Sequence, residues 1–215
     1  TGSVTFVPDA SFTGSTSFTY LITTNLGCSA VGTINVTEVA SPVANISGTT
    51  TFCQGFAATL DAGAGYTSYN WTTPIGTSTA QTVSPIVSGT YAVIVTNANN
   101  CADTTSTVVT VNSLPTPIIT ASATAICAGS STTLDAGAGY NTYSWFQSPF
   151  LSLGNVQTQI VNTPAIYGVI VIDANGCQGG DTITIGLNSN PVVSIVPSGA
   201  TTFCPGNSVD LDAGS

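Results

Sequence analysis

The sequence contains no lysine, arginine, histidine or methionine, and its nine acidic residues give a formal net charge of −9 over 215 residues. Nucleic-acid binding depends on Lys and Arg side chains that neutralise phosphates, so this class of partner is excluded. An anionic membrane surface repels such a chain for the same reason. Nucleophilic triads need a base such as His or Lys, which is also missing. The composition therefore predicts a protein that is not an enzyme.

Long hydrophobic runs are also missing, since the apolar runs are short stretches such as Tyr91 to Val95. A membrane helix needs about 18 or more apolar residues, so we expect no membrane insertion. Hydrophobic residues nevertheless make up 42% of the chain, and the acidic residues are scattered, which argues against disorder. No stretch has a convincing helical period, and Ser, Thr, Val and Gly dominate. We predict an all-β protein.

The six cysteines are regularly spaced and include no Cys-x-x-Cys pair. Zinc sites use closely spaced Cys and His ligands, and these are absent. The cysteines therefore indicate disulfides formed in an oxidising compartment, with free buried thiols as the alternative. We expect an extracellular, cell-surface protein.

One stretch recurs along the chain. Phe52 to Trp71 reads FCQGFAATLDAGAGYTSYNW, Ile126 to Trp145 reads ICAGSSTTLDAGAGYNTYSW, and FCPGNSVDLDAGS begins at Phe203. The cysteines of these copies are nearly evenly spaced, since 127 minus 53 is 74 and 204 minus 127 is 77. A fixed period of this size indicates tandem domains. The predicted divisions are 1–40, the end of one domain; 41–114 and 115–189, two complete repeats; and 190–215, the start of a third.

Each complete repeat contains six or seven short predicted strands with turn residues every 8 to 12 positions, which is typical of an immunoglobulin-like β-sandwich. In repeat 1 we predict strands at 42–48, 56–61, 67–73, 80–87, 89–97 and 104–112, with a possible short one near Thr77. A leucine takes the place of the usual disulfide between strands B and F, the tryptophan falls on strand C, and a tyrosine begins strand F. The predicted core residues are Leu60, Trp71 and Tyr91 in repeat 1 and Leu134, Trp145 and Tyr167 in repeat 2.

The recurring phrase C-x-G-x-x-x-x-L-D-A-G-x-G-Y-x-x-Y-x-W, followed by S-G-T-Y-x-V-x-V-T-x-A-N-x-C, resembles a known family. It looks like the immunoglobulin/PKD-like repeats of large surface proteins of Bacteroidota, including gliding-motility adhesins and type IX-secreted proteins. Repeat 2 departs from the phrase where Pro164-Ala165-Ile166 replaces Ser-Gly-Thr. The run VTFVPDASFTGSTSFTY near the start resembles the end of a bacterial cadherin-like repeat. The resemblance implies an extracellular stalk or adhesive filament without catalysis or cofactor.

The cysteine pairing follows from where the turns lie in such a sandwich. Each repeat has one cysteine between strands A and B and one between F and G, at opposite ends. A strand of about seven residues spans roughly 23 Å, whereas the Cα atoms of bridged cysteines lie within about 7 Å. We therefore favour a staggered bridge, Cys53 to Cys177, with the other four cysteines pairing beyond this segment or in its incomplete domains. The alternative is pairing within each repeat, Cys53–Cys101 and Cys127–Cys177.

Carboxylates are the candidate chemical groups of this sequence. Calcium prefers six to eight oxygen ligands, usually from several carboxylates, and none of the candidate positions lies in an Asp-x-Asp cluster. Paired carboxylates can also perform glycosidase-type acid/base chemistry, but no basic residue is available to tune them. Turn-forming Asp residues that bind their own backbone are the structural alternative. The weak calcium candidates are Asp61, Asp103, Asp135, Asp173 and Asp181.

Two further sequence features indicate glycosylation. Asp103-Thr104-Thr105 and Asp181-Thr182-Ile183 match a pattern that Bacteroidota glycosylate on Thr, and we expect them at equivalent positions at the start of strand G. Asn35, Asn45 and Asn70 lie in Asn-x-Ser/Thr sequons, which matter where the source glycosylates asparagine. Glycopeptide analysis that finds bare Thr104 and Thr182 would remove the first hypothesis.

The sequence thus predicts tandem immunoglobulin-like sandwiches in an elongated head-to-tail rod, whose function is to provide length and stiffness in an adhesin. The predicted partners are neighbouring repeats and, through an outward row of Ile94, Ile170 and Ile172, other filaments; the ligand at the tip stays unknown. One alternative is a carbohydrate-binding module array of a secreted enzyme, which needs an exposed aromatic platform. The other is a filament assembled from separate subunits. The platform candidates are Tyr66, Tyr69, Tyr140 and Tyr143.

Overall fold

The structure is a computed structural model that describes residues 3, 5–9, 12–149 and 151–213. Every regular element assigned to these residues is a β-strand. Within this part of the chain, no helix has the length and apolar character needed to cross a membrane. The chain divides into two compact units, Thr1–Asn112 and Ser113–Ser215, and each is described by itself. The all-β prediction is confirmed.

Unit 1 consists of a hairpin followed by repeat 1. The hairpin pairs β1 (Gly14–Thr23) with β2 (Ser29–Glu38) in an unbroken antiparallel register from Gly14–Glu38 to Thr23–Ser29. The strands of repeat 1 are β3 (Ser47–Gly48), β4 (Thr51–Cys53), β5 (Leu60–Asp61), β6 (Ser68–Thr73), β7 (Gly76–Ser78), β8 (Thr82–Val83), β9 (Gly89–Thr96) and β10 (Ala102–Asn112). They form one sheet in the order β3-β5-β8 and a second in the order β4-β10-β9-β6-β7.

The first strand of repeat 1 differs from the prediction. Instead of one strand over 42–48, the chain pairs with β5 at Ser47 and Gly48 and then crosses to the other sheet, where β4 runs parallel to β10. Gly48 makes the crossing, since its φ of 129° is strained for any residue with a Cβ. A Cβ at this position would also collide with the carbonyl oxygen of Thr59. The crossing carries Cys53 to the edge of the five-stranded sheet.

Unit 2 contains repeat 2, which has the same topology, and a short terminal pair. Its strands are β11 (Thr120–Ala121), β12 (Ala125–Cys127), β13 (Thr132–Asp135), β14 (Thr142–Gln147), β15 (Leu151–Gly154), β16 (Thr158–Val161), β17 (Ala165–Ile172) and β18 (Gln178–Asn188), followed by β19 (Val196–Pro197) and β20 (Leu211–Asp212). The sheet orders β11-β13-β16 and β12-β18-β17-β14-β15 repeat those of unit 1. Two immunoglobulin-like sandwiches are therefore present, as the sequence predicts.

Each sandwich has one apolar core between its two sheets. In repeat 1 the leucine at the B–F position, Leu60, lies with Trp71, Val93 and Val95 in one cluster, all fully buried. Repeat 2 repeats the arrangement with Leu134, Trp145, Val169 and Val171. A buried indole N–H needs an acceptor, and each finds one in a backbone carbonyl of the segment that leads into β8 or β16. The donor–acceptor distances are 2.9 Å from Trp71 to Ala80 and 2.8 Å from Trp145 to Val156.

A tyrosine near the start of the long antiparallel strand fixes the corner before it in both repeats. The Tyr91 hydroxyl donates to the carbonyl of Val87 at 3.0 Å, and the Tyr167 hydroxyl donates to the carbonyl of Thr163 at 2.6 Å. Both tyrosines are fully buried. This is the tyrosine corner of immunoglobulin-like domains.

The chain enters and leaves each sandwich at opposite ends. At the entry end of repeat 1, the Asn97 side chain donates to the carbonyl of Ala40, and the Ala44 N–H donates to the Asp103 carboxylate. The last strand, β10, then runs 11 residues to the far end. Repeat 2 is entered in the same way, since the Ile119 N–H donates to Asp181 at 2.8 Å.

Candidate functional site

Within each repeat, the two cysteines lie at opposite ends of the last strand. Cys53 ends β4 level with Asn112, the last residue of β10, whereas Cys101 directly precedes the first residue of that strand. Eleven strand residues span about 36 Å, and bridged Cα atoms lie about 4.4–6.8 Å apart. In repeat 2, Cys127 is level with Asn188 while Cys177 directly precedes β18. A bridge within a repeat is out of reach.

The oxidation states of the cysteines agree with this geometry. Cys53 and Cys177 are disulfide-bonded. The free cysteines are Cys28, Cys101, Cys127 and Cys204. The within-repeat alternatives Cys53–Cys101 and Cys127–Cys177 are therefore not formed. The two bonded cysteines belong to different repeats, Cys53 at the exit end of its own sandwich and Cys177 at the entry end of the other.

The Asp residues of the recurring Leu-Asp-Ala-Gly phrase organise a turn in both repeats. Asp61 accepts a hydrogen bond from the Gly63 N–H at 2.8 Å and one from the Gln81 side-chain amide at 2.9 Å. Asp135 accepts the same two bonds, from the Gly137 N–H and the Gln157 amide, at 2.8 and 2.9 Å. The two carboxylates thus hold the ends of β5 and β13 to the segments that precede β8 and β16, respectively.

The remaining calcium candidates also have backbone partners. Asp103 and Asp181 reach from the last strand to the segment that leads into the first strand, where they accept the Ala44 and Ile119 N–H groups. The Ala44 N–H, followed by the Thr104 N–H, lowers the pKa of Asp103. Asp173 accepts the N–H groups of Asn175 and Cys177 in the turn before β18. Among the described residues, no group of three or more His, Cys, Asp or Glu side chains is placed to hold a metal ion.

The Asp61 and Asp135 turns should make folding sensitive to acid. In both carboxyls the glutamine amide lowers the pKa most and the glycine N–H lowers it next, relative to an ordinary value of 3.8. Because the folded form binds protons less readily than the unfolded form, these bonds stabilise the fold fully above about pH 3.8 and are lost as the pH falls further. Urea unfolding midpoints measured from neutral pH down to about pH 2 should therefore fall below that value.

The double variant Asp61→Asn/Asp135→Asn provides the comparison, since an amide does not titrate. Its midpoint should depend less on pH over the same range than the midpoint of the unaltered chain. Asp9→Asn, which changes an exposed carboxyl of the leading segment, is the matched control and should keep the full dependence. Equal slopes for the double variant and the unaltered chain would contradict the assignment.

The two candidate glycosylation sites are exposed but not equivalent. Thr104 is level with Ile94 on β9, whereas Thr182 is level with Gly168 on β17. Counted from the turn, Thr104 is the third residue of its strand and Thr182 is the fifth. The expectation of equivalent positions is wrong, because repeat 2 has two additional residues, Gly179 and Gly180, between the turn and its Asp. Glycosylation itself stays a prediction.

The tyrosines proposed as a sugar platform are built into the sandwich. Tyr66 and Tyr69 are half-buried against the core of repeat 1, and their rings meet edge to face with centroids 5.9 Å apart. Tyr140 and Tyr143 repeat this arrangement at 5.9 Å. The Tyr69 hydroxyl donates to the Gly63 carbonyl at 2.8 Å. Sugar binding by these four tyrosines stays a prediction.

Sequence reasoning missed a different aromatic residue, Phe146. It follows Trp145 on β14, so it lies on the outer face of the five-stranded sheet, half-buried, and is level with Gly168. Its ring crosses that glycine, since a Cβ on Gly168 would collide with the ring tip. The equivalent residue of repeat 1 is Thr72, which is level with Ala92. This difference between the two copies is readable from the sequence once they are aligned.

The comparisons with known proteins concern the fold. No family model and no curated protein matches this sequence. Among solved structures, a Ca²⁺-stabilised adhesin with which an Antarctic bacterium binds ice is 12% identical, over 88% of this chain and 60% of that one, with a TM-score of 0.39. A 1.5-MDa bacterial ice-binding adhesin is 16% identical, over 82% of this chain and 75% of that one, with a TM-score of 0.40. Murine CEACAM1b is 10% identical, over 68% of this chain and all of that one, with a TM-score of 0.33.

These likenesses are to immunoglobulin-like domains of bacterial adhesins and of the immunoglobulin superfamily. Similarity at this level of identity extends to the fold and assigns neither a family nor a ligand to this chain. The function has to be argued from the residues.

Proposed function

We propose that this chain is a stalk or filament segment of an extracellular adhesin, whose function is to provide length and stiffness, and that its repeats are those of Bacteroidota surface proteins. The observation that carries the proposal is the placement of the chain ends in each sandwich. A domain that is entered at one end and left at the other adds its full length to an array, and the last strand alone spans about 36 Å. The repetition of this topology in one chain supports the same function.

The connection between the sandwiches supports stiffness. In unit 1, the Gln54 N–H donates to the carbonyl of Asn112 at 2.8 Å, so the exit end is tied next to Cys53. In unit 2, a Cβ on Gly179 would collide with the carbonyl of Pro115. Pro115 therefore lies beside the turn that contains Cys177. Three residue steps, from 112 to 115, therefore join the two ends, at most about 11 Å of extended chain.

We propose on this basis that Cys53 bonds to Cys177. Each of these cysteines lies at the junction end of its own sandwich, and each is oxidised. A bridge beside so short a linker fastens consecutive repeats at two points, which removes the bending that a single linker permits. Cys101 lies at the entry end of repeat 1 and Cys127 at the exit end of repeat 2, so both lie at the ends away from this junction. Under the staggered pairing, each would bond to a cysteine of a neighbouring repeat.

Small-angle X-ray scattering of the oxidised chain tests the stalk function. A single compact body of 215 residues has a radius of gyration of about 17 Å. The rod should give a clearly larger value, together with a pair-distance distribution that has a long tail. A radius as small as that of the single compact body would contradict the proposal, because sandwiches folded against each other cannot provide length.

A Cys53→Ser/Cys177→Ser variant serves as the control in that experiment. It should keep the same sandwiches but broaden the distance distribution, because the junction then bends. Identical profiles for the variant and the oxidised chain would contradict a bridge that stiffens the junction. They would not contradict the elongated shape, which the radius of gyration tests.

A further inference from the structure

Repeat 2 has a groove on the outer face of its five-stranded sheet. Two shallow hollows of about 300 and 270 Å³ lie on either side of Phe146. Ile170 contributes to both hollows. Gly168 makes room for the Phe146 ring, which lies over it, and Gly180 lines one of the hollows without a side chain.

The register shows why the same face of repeat 1 is filled. The row Thr182–Gly168–Phe146 of repeat 2 corresponds to the row Ser106–Ala92–Thr72 of repeat 1. In the next row, Gly180 of repeat 2 corresponds to Thr104 of repeat 1, since they are level with Ile170 and Ile94. Repeat 1 thus has no aromatic ring and has a side chain in place of each glycine.

The groove combines an aromatic ring with a rim of hydroxyl groups. Ser144 and Ser152 line the hollow on one side of the ring, and Thr182 lines the hollow on the other. The one charged lining residue is Asp181, and its carboxylate already accepts the Ile119 N–H at 2.8 Å. The chain contains no Lys, Arg or His, so no side chain here can neutralise a phosphate, sulfate or carboxylate ligand.

We propose that this groove binds a neutral saccharide, with one sugar ring stacked on Phe146. A sugar ring has an apolar C–H face and a rim of hydroxyls, and the groove offers an apolar ring surface bordered by hydroxyl donors and acceptors. Gly180 lines the hollow without a side chain, which lets the saccharide approach the sheet backbone closely there. The binding is a property of repeat 2 and is separate from the stalk function, which uses the ends of the sandwiches.

Nuclear magnetic resonance titration of the full oxidised chain tests the proposal. The probes are neutral hexasaccharides, namely cellohexaose, xylohexaose, laminarihexaose and N-acetylchitohexaose, with an oligogalacturonate as the anionic comparison. Mass spectrometry first establishes that Thr182 is bare, since a glycan there would cover the groove. At least one neutral probe should shift the backbone amides of Gly168 and Gly180, and the anionic probe should not.

Repeat 1 supplies the substitutions for the matched variants. Phe146→Thr removes the ring. Gly180→Thr keeps the ring and adds a side chain to the groove, where its Cβ meets the Val169 carbonyl oxygen at 2.9 Å and the strand has to shift slightly. Each should weaken the binding about tenfold or more, as expected when a stacked aromatic contact is lost. Val108→Ala, at an exposed apolar position on the same face of repeat 1, is the control and should leave the affinity unchanged.

Transfer of the groove keeps the test independent of any loss of folding in repeat 2. The triple variant Thr72→Phe/Ala92→Gly/Thr104→Gly should give repeat 1 a second site for the same probe. The proposal is overturned if no neutral probe shifts the two glycine amides, or if Phe146→Thr and Gly180→Thr leave the binding unchanged. Concentration-dependent self-association that shifts the same amides without sugar would assign the face to a second copy of the chain instead.

Discussion

Reduction of the disulfide should lengthen the chain under force by several times the length of one sandwich. If Cys53 bonds to Cys177, the bridge excludes a span of 124 residues (177 minus 53) from the path that carries the load. At about 3.5 Å per extended residue, that span adds about 430 Å to the unfolded contour once the bond is opened. Single-molecule pulling from the two termini, with and without a thiol reductant, measures the difference directly.

The length itself distinguishes the possible pairings. A Cys53–Cys101 bridge would exclude 48 residues and a Cys127–Cys177 bridge 50 (101 minus 53, 177 minus 127), so either would change the contour by only about 170 Å. The variant Cys53→Ser/Cys177→Ser should have the full contour without reductant, whereas Cys28→Ser/Cys204→Ser should behave like the oxidised chain. A length change of only about 170 Å, or none at all, would contradict the staggered bridge.

The same bridge should matter for unfolding in solution. Closing a loop of more than about 100 residues limits the unfolded chain and contributes about 4–5 kcal/mol in the chain-entropy description. For domains of this size, that is a large fraction of the whole free energy of unfolding. If the chain is a stalk and the bridge is Cys53–Cys177, the bond would both limit its extension under force and stabilise its folded state.

Replacement of Trp145 by Ala should unfold repeat 2 or bring it close to unfolding. The side chain is fully buried between the sheets, and its indole N–H donates to the Val156 carbonyl. Truncation of a buried Trp costs about 3–5 kcal/mol, and a repeat of about 75 residues has a free energy of unfolding of about 4–11 kcal/mol. Urea unfolding followed by circular dichroism should show a transition at much lower urea.

Hydrogen exchange with mass spectrometry locates the loss. Peptides from β14, β17 and β18 should lose protection in Trp145→Ala, whereas Ser144→Ala, one residue earlier and on the exposed face of the same strand, should leave them protected. Trp71→Ala should have the same effect on β6, β9 and β10 of repeat 1. Protection that survives in Trp145→Ala would show that the core does not depend on the indole.

Much of this fold is determined locally, which is why the sequence predicts it. The two-residue spacing of Tyr69 and Trp71, of Tyr143 and Trp145, and of the valines after each core tyrosine indicates which face of each strand is buried. The recurring Asp-Ala-Gly turn is equally local, because the carboxylate binds an N–H two residues away. Such features depend on neighbours in the chain, so composition, spacing and repetition reveal them.

The features closest to function depend on pairings between distant segments. The crossing at Gly48 moves Cys53 to the sheet edge beside Asn112, which lies at the other end of the repeat in sequence, and this sets the ends at which the cysteines lie. The two-residue offset between Thr104 and Thr182, by contrast, can be counted in the sequence, since Asp103 follows Cys101 by two residues and Asp181 follows Cys177 by four.

The repeats, the sandwich and its core are therefore properties of the sequence by itself, since each follows from the period of apolar residues and from turn chemistry within a few positions. The stretch from Phe52 to Trp71 recurs once in each repeat and so marks the repeating domain. The tertiary structure decided at which end of each sandwich each of its two cysteines lies, and in repeat 2 it placed Phe146 beside a groove on the outer face. The physical reason is that strand register brings together residues whose separation along the chain carries no local signal.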